Sequence, residues 1–148
     1  LEHVADPQRA AAEIWRVLKP GGLVYSETPF LQQVHAGAYD FTRFTHLGHR
    51  RLFRRFDEID SGAACGPGMA LAWAWRGFLQ SWFTSYAGHA AAGAAASLTA
   101  FWLPKLDRYL QAHRAAFDCA SSYYFLGAKS DRTLSDRALV RGYRGLQR

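Results

Sequence analysis

The chain has 148 residues, 49% of them hydrophobic and 15% aromatic, and a formal net charge of +6. That length accommodates a core of single-domain size, and the apolar content excludes disorder over most of the chain. Much of the positive charge sits in Arg50, Arg51, Arg54 and Arg55 and in the last eighteen residues, and it reads first as a solvated surface, because charge alone does not specify a partner. Cys65 and Cys119 stand far apart, with no CxxC and no metal-ligand spacing. This predicts a reduced, cytoplasmic protein with two small, buried thiols.

Leu1-Glu2-His3-Val4 reads as the mouth of a strand that has already ended. Asp6 is a good N-cap and Pro7 suits the first helical position, so a helix over 7–18 is predicted. Ala11, Ile14, Trp15 and Leu18 form its apolar stripe, Pro20 ends it and Gly21-Gly22 reverses the chain. A short strand follows from Leu23 to Thr28. Strand end, helix, turn and strand together are the βαβ rhythm of a parallel sheet.

Pro29 to Thr45 is a long, aromatic-rich loop without a clean period. It leaves the C-terminal end of a strand, which is where ligands sit in α/β sheets. Thr45 caps the next helix, whose predicted apolar stripe is His49, Leu52, Phe53 and Phe56, with the four arginines on the other face. A weak strand over 57–62 and the Gly66-Pro67-Gly68 punctuation come next. From Met69 to about Phe117 the chain reads as helical, with Leu71, Trp75, Phe78 and Trp82 on one stripe and a break at Pro104. Leu106, Tyr109, Leu110, His113 and Phe117 define a second stripe. Ala120 to Lys129 reads as a strand, and the basic tail over 131–148 holds a short helix from Ser135.

Three segments carry a resemblance. The first is LEHV followed by an amphipathic helix and LKPGG. The second is TPFLQQVHAGAYDFTRFT, and the third joins the Gly-Pro-Gly turn before an aromatic helix to the YYFLG strand. Together they resemble a class I S-adenosylmethionine-dependent methyltransferase of the small-molecule, type 11-like group. The likeness covers most of residues 1–129. It implies a Rossmann-like α/β fold, of which this chain is the C-terminal half. The expected parts are late strands of a mostly parallel sheet, a last strand that is antiparallel, and a helical insertion over about 67–118. Residues 1–130 are then the later part of the enzyme domain. The resemblance places the glycine-rich cofactor loop upstream of Leu1, and no such loop opens a helix here. Weak cofactor binding by this chain alone is therefore expected.

The implied cofactor is S-adenosyl-L-methionine and the implied partner a small-molecule substrate. By resemblance, Leu1, Glu2, His3 and Val4 lie beside the methionine end of the cofactor. His3 could serve as a general base, its reference pKa of roughly 6.5 lying near neutrality. Glu2 and His3 could equally cap and orient the helix that follows. In the loop, Phe30, Tyr39, Phe41 and Phe44 are candidates for an apolar lid, with His35, Asp40 and Arg43 as polar elements. His35 is a catalytic candidate and, with Phe30, Tyr39, Asp40, Arg43 and Phe44, a substrate-binding one. Asp40 and Arg43 could bind a substrate group or simply lock the loop, and ordering ion pairs are the commoner case. His46 and His49 could share a helix face, but no acidic or thiol neighbour completes a ligand set, so no metal is expected. Ser26 and Ser61 lie in no nucleophile-elbow context.

Two rivals remain. Residues 73–103 are rich in Trp, Phe and Ala and could lie on a membrane as amphipathic helices, although the apolar run is too broken to span one. HRRLFRRF has the charge for phosphate contacts but no reader motif, so no nucleic acid is expected.

Overall fold

The computed structural model describes residues 1–146, and among these described residues three strands and seven α-helices, with two 3₁₀ turns, organise the fold. Helix α1 (Pro7–Val17) begins where Asp6 Oδ1 accepts from the Arg9 N–H at 2.9 Å. It ends before Pro20, and Gly21 turns the chain with a φ of +72° that glycine adopts without strain. Strand β1 (Leu23–Pro29) follows. After a loop holding one 3₁₀ turn, α2 (His46–Leu52) starts at Thr45, whose hydroxyl accepts from the Gly48 N–H. Strand β2 (Phe56–Cys65) then leads into α3 (Pro67–Gln80) and α4 (Tyr86–Ala100). The short helices α5 (Asp107–Leu110) and α6 (Ala116–Cys119) precede β3 (Ser122–Lys129), and α7 (Asp136–Arg141) is capped by Ser135. The tail predicted over 131–148 is described up to 146, and its last two positions lie outside the described residues.

The sheet order is β1-β3-β2, and both pairings are antiparallel. The mixed α/β class and the antiparallel last strand agree with expectation. Parallel pairing does not occur among the described residues, because β3 occupies the position between β1 and β2. Those two strands run in the same direction, each hydrogen-bonded to β3 rather than to the other.

One face of the sheet carries the core. Val24, Phe125, Phe53, Phe56 and Ala11 are buried together, with Ile14 and Trp15 of α1 and Leu18 just past its end packed against them. Phe53 stacks on Phe125 with ring centroids 5.2 Å apart. Trp15 ties α1 to the end of β3: its indole N–H donates to the Ser130 carbonyl at 3.0 Å, and the Arg55 guanidinium lies 3.3 Å from its ring centroid. The opposite face is bare. Leu23 and Tyr25 of β1, facing the same way as Leu126 of β3, are 60% and 62% exposed. The outer edge of β1 has no strand partner among the described residues.

Two predicted stripes come out differently. The apolar set His49, Leu52, Phe53 and Phe56 does not lie on one helix, since α2 stops at Leu52 and Phe56 opens β2. Its apolar residues still converge, because helix and strand pack on the same core. The Leu71, Trp75, Phe78 and Trp82 stripe faces outward, Trp82 being 72% exposed. Helix α3 packs through its small side instead: Gly68 and Ala70 are buried, as are Ala92, Gly93, Ala96 and Ala100 of α4. Small residues let the helix backbones approach, and the bulky side is left outside.

Candidate functional site

The Pro29–Thr45 loop folds back onto the first residues of the chain. The Phe44 N–H donates to the Pro29 carbonyl at 3.2 Å, closing the loop on the strand it left. The Phe41 N–H donates to the Glu2 carbonyl at 2.9 Å, joining the loop to the turn formed by Leu1–Val4. That turn is closed by the Val4 N–H on the Leu1 carbonyl.

This closure gathers Glu2, His3, His35, Asp40 and Arg43. Glu2 Oε1 lies 3.5 Å from His3 Nε2 and 3.6 Å from His35 Nε2. The two imidazoles meet edge to face at 4.8 Å. The Glu2 side chain is mostly buried, whereas those of His3 and His35 are 39% and 37% exposed, so the corner opens to solvent on its imidazole side. Burial works to raise the Glu2 pKa, but hydrogen bonds from its own backbone N–H and the Leu1 amine outweigh it and the net shift is downward. Glu2 is thus a carboxylate at neutral pH.

Asp40 and Arg43 stand behind the imidazoles. Arg43 grips both Asp40 oxygens and also donates to the carbonyls of Gln32, Thr42 and Gln33. Those contacts occupy all its donors, as its five N–H groups allow. The Arg43 guanidinium holds the Asp40 carboxyl well below the usual carboxylate range, burial opposing it and the His35 backbone N–H assisting. Asp40 Oδ2 accepts that N–H at 2.8 Å and lies 3.4 Å from His35 Nδ1. The pair therefore locks the loop and orients His35, and no donor of Arg43 is left to clamp a ligand.

The aromatic candidates do not form one lid. Phe44 is a core residue, 8% exposed and packed on His49. Phe30 packs on Tyr123 and faces a groove lined also by Leu31, Gln33, Pro67, Ala70 and Ala74. Tyr39 and Phe41 project outward, and the Tyr39 carbonyl, rather than its ring, meets His3. Of the residues expected beside the cofactor, Leu1 packs against the core and Val4 is exposed, so Glu2 and His3 alone of the four turn polar side chains into the corner.

The other histidines belong to the interior. His46 Nε2 lies 3.0 Å from Ser61 Oγ and His49 Nε2 lies 2.9 Å from Ser26 Oγ, with all but Ser26 of these residues buried. Desolvation lowers both imidazole pKa values to about 4, so both are neutral near pH 7. The arginines of HRRLFRRF are likewise engaged. Arg50, expected on a solvated face, is buried, pairs with Glu58 at 2.5 Å and lies over the Phe125 ring. Arg51 and Arg54 meet Asp136, and Arg55 stacks on Trp15. Asp107 was not anticipated as a structural anchor. It is buried and accepts the Gly68 and Met69 N–H groups at 2.7 and 2.9 Å, capping α3 from a distance in sequence.

The fold and its polar corner define a mixed α/β domain with a partly solvent-exposed carboxylate–imidazole cluster where its long loop closes on the Leu1–Val4 turn. A family model described as a methyltransferase domain matches residues 1–26, the segment that carries Glu2, His3, α1 and the start of β1. That match supports a methyltransferase domain. No curated protein and no solved structure matches the chain. Among the described residues no helix is long and apolar enough to cross a membrane.

Proposed function

We propose that this chain is the acceptor-side part of a class I S-adenosylmethionine-dependent methyltransferase acting on a small molecule. The observation that carries the reading is the junction of the Glu2-His3 turn, inside the matched segment, with the His35–Arg43 loop. A bare sheet face and an unpartnered β1 edge support a larger domain, with earlier strands and helices covering both. In that domain the present sheet forms the late strands of a Rossmann-like fold.

The residues here fit one wall of a cofactor site. The Leu1–Val4 turn presents Glu2 and His3 at a solvent-open corner, and no glycine-rich loop in the chain supplies the opposite wall. When bound, S-adenosylmethionine supplies an activated sulfonium methyl group, so the protein's task is alignment and exclusion of water. Glu2 and His3 would border the methionine end. A neutral His3 carries its proton on Nδ1, because the Tyr39 carbonyl 3.0 Å away can only accept. Its Nε2 is then free to accept a proton from an acceptor hydroxyl or amine. His35 presents a second Nε2 to the same space, held from behind by Asp40.

Calorimetry with S-adenosylhomocysteine tests this. Residues 1–148 alone should show no saturable binding, whereas the protein extended upstream of Leu1 should bind it and transfer labelled methyl groups to a small acceptor. An extended protein that neither binds nor transfers overturns the reading.

A second reading rests on the exposed aromatics of the helical segment. Trp82, Tyr86, Phe101 and Trp102 are all exposed, and aromatic rings of this kind sit well at a lipid surface. Co-sedimentation with anionic vesicles supports it, and failure to co-sediment at low salt removes it.

A further inference from the structure

The geometry points to a divalent metal site at Glu2, His3 and His35, for an ion of the Zn²⁺/Mn²⁺ class whose open positions would take an oxygen of the acceptor.

The three residues offer ligand atoms that all lie within 4.8 Å of one another. Two imidazole nitrogens and a carboxylate oxygen form a set used by transition ions, with room left for water or substrate. Bonds of about 2.1 Å put tetrahedral ligand atoms about 3.4 Å apart; the two separations from Glu2 Oε1 are 3.5 and 3.6 Å, close to that value, and the third pair lies within 4.8 Å.

The surroundings of the imidazoles supply an independent observation. Metal-binding histidines present one nitrogen to the ion and give the other N–H to a carbonyl or carboxylate. His3 Nδ1 is 3.0 Å from the Tyr39 carbonyl. His35 Nδ1 is buried without a hydrogen bond in this geometry, and its neighbour is Asp40 Oδ2 at 3.4 Å. Each ring thus has a carbonyl or carboxylate oxygen beside Nδ1 that can take its proton, and its Nε2 on the side of Glu2 Oε1. A cation bound there would hold both rings in the tautomer that keeps the proton on Nδ1.

Hard, oxygen-only ions are a poor match. Calcium takes six to eight oxygens, and this corner supplies one carboxylate. Binding of the ion stands on geometry alone; its role toward the acceptor rests on the methyl-transfer reading and replaces proton acceptance by the two Nε2 atoms, whose lone pairs the ion would occupy.

The test titrates Zn²⁺, Mn²⁺ and Ca²⁺ by calorimetry into the 148-residue chain with its Leu1 nitrogen acylated, so that the amine is not a ligand. We expect one Zn²⁺ or Mn²⁺ per chain and no saturable Ca²⁺ binding. Among the six histidines, Zn²⁺ should shift the side-chain nitrogen resonances of His3 and His35 and leave His46 and His49 in place. His35→Gln and Glu2→Gln should each weaken binding by about tenfold or more with an unchanged circular dichroism spectrum. The resonance shifts are read on the unaltered chain, so they carry the test even if a variant misfolds. Absence of Zn²⁺ binding, equal binding by both variants, or shifts at His89 and His113 instead would show an ion-pair cluster only. Zn²⁺ bound through these residues in an extended protein that transfers no methyl group would keep the site and overturn its acceptor role.

Discussion

His35 Nε2 lies 3.6 Å from Glu2 Oε1, although helix α1 and strand β1 separate the two residues in the chain. The contact is made by loop closure. Arg43 gathers the carbonyls of Gln32, Gln33 and Thr42 and both oxygens of Asp40, and Asp40 in turn holds the His35 backbone N–H.

Arg43→Met should therefore loosen the corner before it loosens the fold. Without the guanidinium, the Asp40 carboxylate and three carbonyls lose their partner inside the loop. Amide exchange should accelerate about tenfold or more over residues 32–43, while the amides of β3 keep their protection. Uniform acceleration across the sheet would show that the loop is part of the global unit.

The buried histidines predict acid sensitivity. His46 packs against Phe117 and Tyr123 near Arg50, Glu58 and Arg144, and His49 against Phe44, Phe53 and Phe125. Both have folded pKa values of about 4, below the unfolded value of 6.5. The unfolded chain then binds more protons between those values, so stability is fully present above about pH 6.5 and falls as the pH drops toward 4. Each contributes on the order of 3 kcal/mol across that window. Denaturant melts at pH 7 and pH 4.5 check it, and His49→Gln should flatten the dependence.

The α3 anchor predicts a steric effect and a polar one. A Cβ on Gly68 would sit 2.2 Å from the Leu103 carbonyl oxygen and 2.8 Å from Asp107 Oδ1. Gly68→Ala should cost about 1–3 kcal/mol through overpacking. Asp107→Ala should cost a similar amount, about 1–3 kcal/mol, by stranding the buried Gly68 N–H and the part-buried Met69 N–H, and Asp107→Asn should recover part of it. Equilibrium urea unfolding measures all three.

Aromatic residues should divide sharply by position. Phe53 is fully buried, so Phe53→Ala should destabilise by about 3–5 kcal/mol. Trp82 is 72% exposed, and Trp82→Ser should stay within about 0.5 kcal/mol. A large loss at Trp82 would show that its face is covered in solution.

Local chemistry was legible in the sequence. Asp6, Pro7 and Pro20 bounded α1, Thr45 and Ser135 marked the starts of later helices, and the strand residues announced β1 and β3. Caps, turns and propensities act over a few residues, so one sequence determines them. The candidate residues Glu2, His3, His35, Asp40 and Arg43 were also recognisable by type. Their convergence was not, because it depends on where the loop closes. Nor did periodicity say which side of α3 would be buried: it identifies an apolar stripe, while the partner surface decides which face packs, and here Gly68 lies against the Leu103 carbonyl and Asp107. Tertiary structure likewise placed β3 between β1 and β2 and buried Arg50 against Glu58. Such outcomes rest on contacts between distant segments, whose energies no short stretch of sequence contains.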